Sequence, residues 1–466
     1  MESIIIDTDS YKASHWLQYP PKTTKVFSYI ESRGGRHDKT VFFGLQYYLK
    51  RYLETPVTSR DVAEAKAFFA VHGEPFNEDG WMHIVHEHGG RLPLRIRAVP
   101  EGTVVPTLNA LVTVENTCPH CFWVTSWVET MLLRIWYPIT VATESRHIKG
   151  IINAWLEQTS DDPKAEIAFK LHDFGSRGVS SQESAGIGGA AHLVNFMGSD
   201  TIAGVRLANR YYNSPMAGFS IPAAEHSTIT SWGRENEVDA YRNMLKQYAK
   251  PGALIAVVSD SYDIYNACEN LWGGSLKQEV IDSGAIVVVR PDSGDPPAVV
   301  RKCLELLDSK FGHIINSRGY KVLNNVRVIQ GDGINADSIS KILEKAASGG
   351  FSATNIAFGM GGALLQQHNR DTQKFAMKCS YMEADGKGIR VFKQPVTDDG
   401  KKSKAGKLDL VKSMFGTGFA TVAHFTDNDG IAQAEYYSHT AMETVFENGV
   451  VKKEYTLDEV RARAAL

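Results

Sequence analysis

Long apolar runs are the first thing this 466-residue sequence lacks, and none is continuous enough to span a bilayer. The opening MESIIIDTDSYKASH has only a short apolar stretch, broken at Asp7 and Asp9. It is without the basic start and long apolar core of a secretory signal. Cysteine is scarce too. Five residues, an odd and scattered set, argue against a disulfide framework and suit a reducing compartment. Charge of one sign is also missing, since 50 Lys and Arg stand against 53 Asp and Glu, a formal net charge of -3. Such a balance points away from nucleic acid and from an acidic membrane as main partners. The expectation is a cytoplasmic protein long enough for two or three domains.

A repeated grammar begins near residue 166. A short β-rich run ends in polar or glycine-rich residues, and a helix-like stretch follows. The runs are EIAFKL, DTIAGV, FSIPA, LIAVVS, AIVVV, VRVI, NIAF and FAMKCSYM. Continuous apolar strands alternating with helices indicate a parallel sheet covered on both faces. Eight such units close most economically as a (β/α) barrel, and an open doubly wound sheet is the alternative. The fold class expected is therefore α/β, an irregular (β/α) barrel-like domain over 151–388. A second, mixed α/β domain is formed by 1–150 and joined by 389–466. The polar stretch KQPVTDDGKKSKAGKL reads as a loop or flap.

In either architecture ligands gather at the carboxyl ends of the strands, and the polar clusters fall there. Three of them carry glycine: Arg290-Pro291-Asp292-Ser293-Gly294, Gly331-Asp332-Gly333 and Gly359-Met360-Gly361-Gly362. Glycine lets backbone N–H groups approach phosphate oxygens, and a following helix start adds positive potential. Three on one sheet, with Arg290 and two aspartates, point to a phosphate-bearing ligand. Asp292 or Asp332 would suit a Mg²⁺ shell or ribose hydroxyls. No P-loop GxxxxGK[ST] occurs. Gly186–Ala191 fits the loose GxGxxA pattern but follows SSQESA rather than a strand, so it reads as helix packing.

Several separated cations, Arg33, Arg177, Arg327, Arg370, Lys378 and Lys393, suit a polyphosphate pocket. Lys404 and Lys407 read as solvated surface. Phe174 in HDFGSRG and Tyr11 in DTDSYK stand beside polar strand ends, where rings would flank a flat heteroaromatic substrate. Cys118-Pro119-His120-Cys121 has the redox CxxC spacing but lacks a small βαβ context, so it reads as two thiols in a strand-to-helix turn. In IPAAEHST a strand-like segment delivers Glu225, His226 and Ser227 together. Asp260, at the end of the next strand, could fix the imidazole tautomer and leave the other nitrogen nucleophilic. A general base, a metal ligand and a nucleophile all remain open on this pattern.

The blocks KLHDFGSRGVSSQESAGIGGAAHLVNF, IPAAEHSTIT, VVSDSYDIYNACE, VVVRPDSGDP, RVIQGDGI and NIAFGMGG closely resemble the nicotinamide phosphoribosyltransferases. DSYKASHWLQYPP and TVFFGLQYYL near the start do so too, as does GIRVFKQPV near the end. The resemblance covers nearly the whole chain. It implies transfer of phosphoribosyl from phosphoribosyl pyrophosphate to nicotinamide, giving nicotinamide mononucleotide and pyrophosphate. It also implies Mg²⁺, and ATP as a coupled substrate through a phosphohistidine. A homodimer with active sites at its interface is implied as well.

By position in its motif that histidine is His226, with Glu225 beside it and Asp260 orienting it. The resemblance further implies that Phe174 stacks on the nicotinamide, with the partner subunit's Tyr11 opposite. Asp200 accepts from the carboxamide, and Arg177 reaches the amide oxygen or a phosphate. Arg290, Asp292, Gly331, Asp332, Gly361 and Gly362 hold the ribose phosphate or its hydroxyls. Arg33, Arg327, Arg370, Lys378 and Lys393 line the pyrophosphate and ATP side. The chain departs from the family pattern at Cys118 and Pro119, in GMGGA, and in its short segment after ESRGG. Nicotinate phosphoribosyltransferase, a non-catalytic phosphate-binding module and a thiol oxidoreductase are the rival readings.

Overall fold

The computed structural model describes residues 3–397, 401–412, 418–424 and 440–465. Residues 398–400 of the expected flap lie outside the described residues. Two compact units result: Met1–Thr143 with Arg210–Ser214 and His368–Ala465, and Glu144–Asn209 with Pro215–Gln367. Against expected divisions near 150 and 388, the units part at 143/144 and 367/368. Among the described residues no helix is long and apolar enough to cross a membrane.

The second unit is built on six parallel strands: β1 Leu171–Asp173, β2 Gly198–Ser199, β3 Leu254–Val258, β4 Ile286–Arg290, β5 Val326–Gln330 and β6 Ile356–Met360. Their order is β2-β1-β6-β5-β4-β3. The segment 219–223 joins the two edges, through a bridge from Phe219 to Gly198 and one from Ala223 to Ala256. The sheet thus curls toward a barrel with seven contributing segments. The physical logic is that of the expected α/β barrel, since each strand alternates residues inward and outward. Ala256, Val288 and Ile329 form an inner layer, joined by Ile221, Ala357 and Phe174. Val257, Val289 and Val328 are fully buried beside them. Side-chain caps start the outer helices: Asp295 accepts from the Ala298 N–H before Pro296–Phe311, and Asn335 from the Ser338 N–H before Ala336–Ala347.

Three of the eight expected runs are corrected. FAMKCSYM belongs to the other unit, as the antiparallel strand Phe375–Ala384. An apolar run cannot reveal whether the sheet that buries it is parallel or antiparallel. DTIAGV lies across the start of helix Ile202–Tyr212, and the strand precedes it. In EIAFKL only Leu171 enters β1, the rest forming short helical turns.

In the first unit a seven-stranded sheet is antiparallel at every recorded pairing, with Phe375–Ala384, Thr23–Ser32, Ala110–Asn116 and Leu94–Ala98 consecutive in its middle. Helix Glu78–Glu87 is anchored by Trp81, fully buried with its ring 4.9 Å from Trp123 and 5.2 Å from Trp127.

Candidate active site

Phe174 leaves the end of β1 with its N–H bonded to the Met360 carbonyl at 3.0 Å. Its ring lies on the glycine floor of the neighbouring strand ends. A Cβ at Gly359 would sit 2.0 Å from ring Cε2, and one at Gly331 would sit 3.7 Å away. Only glycine at 359 leaves the ring room to lie there. Asp173, one residue earlier, accepts from the Gly175 N–H at 2.7 Å and so shapes the turn that presents Phe174. Burial pushes its carboxyl up to about 6, and the nearby Asp200 adds to that push.

His226 stands at the beginning of the short helix His226–Thr230, which Glu225 precedes. Its Nδ1 is 3.2 Å from Ser261 Oγ, while its Nε2 faces Asp292 Oδ2 at 3.6 Å and Asp260 Oδ1 at 3.7 Å. Asp260 is held rigidly: its Oδ2 accepts from the Asp292 N–H at 3.0 Å and from Ser293 Oγ at 2.6 Å. Arg290 donates to Asp292 Oδ2 at 2.9 Å. Glu225 does not touch the imidazole in these contacts but accepts from Ser227 Oγ.

Several buried polar atoms at this end of the sheet have no hydrogen-bond partner, among them Asp173 Oδ2, Asp260 Oδ1, Arg290 Nε and Gln330 Oε1. Buried polar groups are almost always satisfied, so such a cluster marks where a polar ligand or ion belongs. The carboxylate oxygens of Asp260 and Asp292 are of the hard kind that Mg²⁺ takes, and the residues fit that ion. Asp332 is exposed, with its backbone carbonyl held by Gln330 Nε2 at 3.0 Å. Gly361 and Gly362 follow β6, the latter with open space where a Cβ would be. On the neighbouring side, Arg177, Ser180 and Asp200 line one cleft, and Asp200 accepts from Ser220 Oγ.

Arg327 is set apart from this group. It lies near the amino end of β5, where its Nη1 donates to the Leu323 and Val326 carbonyls at 2.6 and 2.7 Å. Burial lowers its pKa, with Glu166 opposing. Its place is a structural charge at the opposite end of the strand.

The remaining predicted residues belong to the other unit. Lys378 is half-buried, and its pKa is lowered by burial first and then by Arg33, Arg370 and Lys393, against Glu129. These four cations therefore share one neighbourhood. Arg33 Nε pairs with the buried Glu31 at 3.2 Å, leaving its buried Nη2 without a partner. Tyr11 is exposed, its ring edge-on to His15 at 4.8 Å.

A parallel barrel with polar, glycine-bearing strand ends defines a class, that of α/β enzymes binding phosphorylated ligands at the strands' carboxyl end. Comparison narrows the class. A family model for the nicotinate phosphoribosyltransferase (NAPRTase) family matches residues 169–449, and one for the nicotinamide phosphoribosyltransferase N-terminal domain matches 3–96. A nicotinamide phosphoribosyltransferase of Xanthomonas campestris pv. campestris is 59% identical over 464 residues, covering 100% of this chain and 98% of that one. Another, of Acinetobacter baylyi, is 32% identical over 98% of this chain and 96% of its own. Among solved structures, nicotinate-nucleotide pyrophosphorylase of Pyrococcus furiosus shares the fold, with a TM-score of 0.60 at 16% identity. It covers 99% of this chain and 94% of that one. The chain belongs to the nicotinate phosphoribosyltransferase (NAPRTase) family, among its nicotinamide phosphoribosyltransferases.

Proposed function

We propose that this enzyme transfers phosphoribosyl from phosphoribosyl pyrophosphate to the ring nitrogen of nicotinamide, giving nicotinamide mononucleotide and pyrophosphate. The observation that carries the reading is the gathering, at one end of the sheet, of the Phe174 ring with buried polar atoms that lack a hydrogen-bond partner. In the reaction the ribose C1–oxygen bond breaks with its electron pair leaving on pyrophosphate. The ring-nitrogen lone pair then forms the new bond at C1, through an oxocarbenium-like transition state akin to glycosyl transfer. Phe174 holds the ring in line for attack, and Asp200 accepts from the carboxamide NH₂. A carboxylate at that place repels the carboxylate of nicotinate and so selects the amide. Arg177 meets the amide oxygen or a phosphate, and Arg290 with the Gly331 and Gly361 loops holds the ribose phosphate. Mg²⁺, when bound to substrate phosphates and Asp292 or Asp332, supplies charge neutralisation to the leaving group.

The ATP coupling of the reading rests on His226. Two carboxylates at Nε2 favour the tautomer with its proton there, which leaves the lone pair on Nδ1, towards Ser261. That lone pair attacks the γ-phosphorus of ATP, the bond to the ADP oxygen breaks, and ADP departs with the electron pair. Arg33, Arg370, Lys378 and Lys393, which share one neighbourhood of the other unit, are the cations that this reading assigns to polyphosphate. In this reading a homodimer completes each site with the partner subunit's Tyr11.

The test is one assay with phosphoribosyl pyrophosphate and Mg²⁺, offering nicotinamide or nicotinate, each with and without ATP. Mononucleotide from nicotinamide, accelerated by ATP, is the expected outcome. Product from nicotinate alone would overturn the role of Asp200, and no product from either would overturn the reading.

A further inference from the structure

Outside the catalytic unit, four side chains of metal-ligating type converge: His83, His88, Cys118 and Cys121. One ligand atom from each lies within 4.8 Å of all the others. We propose that they form a closed, structural Zn²⁺ site that staples helix Glu78–Glu87 to the turn following strand Ala110–Asn116.

The dimensions agree with a tetrahedral ion. Bonds of about 2.3 Å to sulfur and about 2.0 Å to nitrogen, set at the tetrahedral angle, place S and N about 3.5 Å apart. The distance between Cys118 Sγ and His83 Nε2 is 3.5 Å. The His83 and His88 rings are 5.5 Å apart between centroids. His88 Nε2 is buried with no hydrogen-bond partner, an orphan of the kind a metal satisfies. Spacing points the same way, with Cys-x₂-Cys on a tight turn and His-x₄-His at a helix end.

Charge fits as well. Two thiols give their protons to solvent on binding, and two thiolates with two neutral imidazoles bring the ion's charge to zero. A neutral site suits its setting, where Cys121 is fully buried and Cys118 is 9% exposed. The framework is held in advance on both sides. Trp81 locks the helix against Trp123 and Trp127. Asn116 Nδ2 donates to the Cys118 carbonyl at 2.8 Å, and the Cys121 N–H closes the turn onto that carbonyl at 3.0 Å. Four protein ligands leave no open position, so the site is one of stability rather than catalysis.

The test uses the full-length chain, purified without a polyhistidine tag and dialysed against metal-free buffer. Mass spectrometry of the metal should find one zinc per chain. Replacement by Co²⁺ should give the intense visible bands and thiolate charge transfer of a tetrahedral site. Alkylation of Cys118 and Cys121, mapped by peptide mass, should speed up about tenfold or more on chelation. Cys118→Ser with Cys121→Ser should lose the zinc. His83→Ala with His88→Ala should lose the tetrahedral spectrum. Wild-type protein without zinc, whose two thiols are freely alkylated or joined as a disulfide, would overturn the proposal without recourse to any variant. So would zinc retained in full by the double-serine protein.

Discussion

Phe174 rests on Gly359 so closely that a methyl group there would lie 2.0 Å from the ring. The seat on which this ring lies is therefore built from a missing side chain. Gly359→Ala should tilt the ring away from the barrel end while β6 keeps its pairing with β1 and β5. The expected outcome is a KM for nicotinamide raised about tenfold, equivalent to about 1.4 kcal/mol, with a much smaller change in the KM for phosphoribosyl pyrophosphate. Steady-state kinetics with each substrate varied checks it. Equal losses for both would mean that the strand end, rather than the ring, had moved.

Asp260 illustrates a different dependence. One oxygen is committed to the backbone and side chain of the next loop, and the other stands 3.7 Å from His226 Nε2. Asp260→Asn retains much of the shape but removes the charge that favours a proton on Nε2. ATP-stimulated turnover should fall by about 10²-fold or more, the usual scale for a misdirected general acid–base or nucleophilic group. Turnover without ATP should fall less. Initial rates with and without ATP separate the two, and a uniform loss in both would remove Asp260 from the coupling role.

Much of this arrangement was legible in the residues, for reasons that differ from place to place. LIAVV, IVVV and VRVI are strands whose inner residues are buried on both faces, and their apolar continuity shows directly. The polar ends of those strands follow from topology, which delivers Asp260, Arg290 and Asp292 to one place. FAMKCSYM has the same continuity for another reason, being an interior strand of an antiparallel sheet. Arg327 resembles other cations in sequence, but its position at the start rather than the end of VRVIQ decides its surroundings. Gly359 as a ring seat is a matter of packing and leaves no trace beyond a glycine. The cluster of His83, His88, Cys118 and Cys121 was hidden because three strands separate its halves in the chain, so CPHC alone carries the spacing of several chemistries.

Asp200 accepts from Ser220 Oγ in the cleft shared with Arg177. Asp200→Asn removes the charge that, in the proposed reading, repels a carboxylate. The ratio of kcat/KM for nicotinamide to that for nicotinate should fall at least tenfold, a change of about 1.4 kcal/mol in discrimination. Competition between the two substrates, read by separating their mononucleotides, measures the ratio directly. An unchanged ratio would transfer selectivity to another residue.

Asp173 links the site to stability through pH. Its folded pKa, pushed up to about 6 by burial, lies above the ordinary value of 3.8. Between those two values the folded chain holds the proton that the unfolded chain has released. Stability from this group is therefore fully present below about pH 4 and is lost as pH rises towards 6, after which the loss is constant. Asp173→Asn keeps an acceptor for the Gly175 N–H and removes the ionisation. The variant should match wild type near pH 4 and exceed it near pH 7 by about 2–3 kcal/mol. Denaturant unfolding of both proteins across this range, with ΔG compared at each pH, checks the sign. A difference that does not vary with pH would mean that the carboxyl is not buried as an acid. Because the same side chain shapes the turn carrying Phe174, a more stable variant with intact nicotinamide affinity would separate the cost of burying the charge from the work of placing the ring.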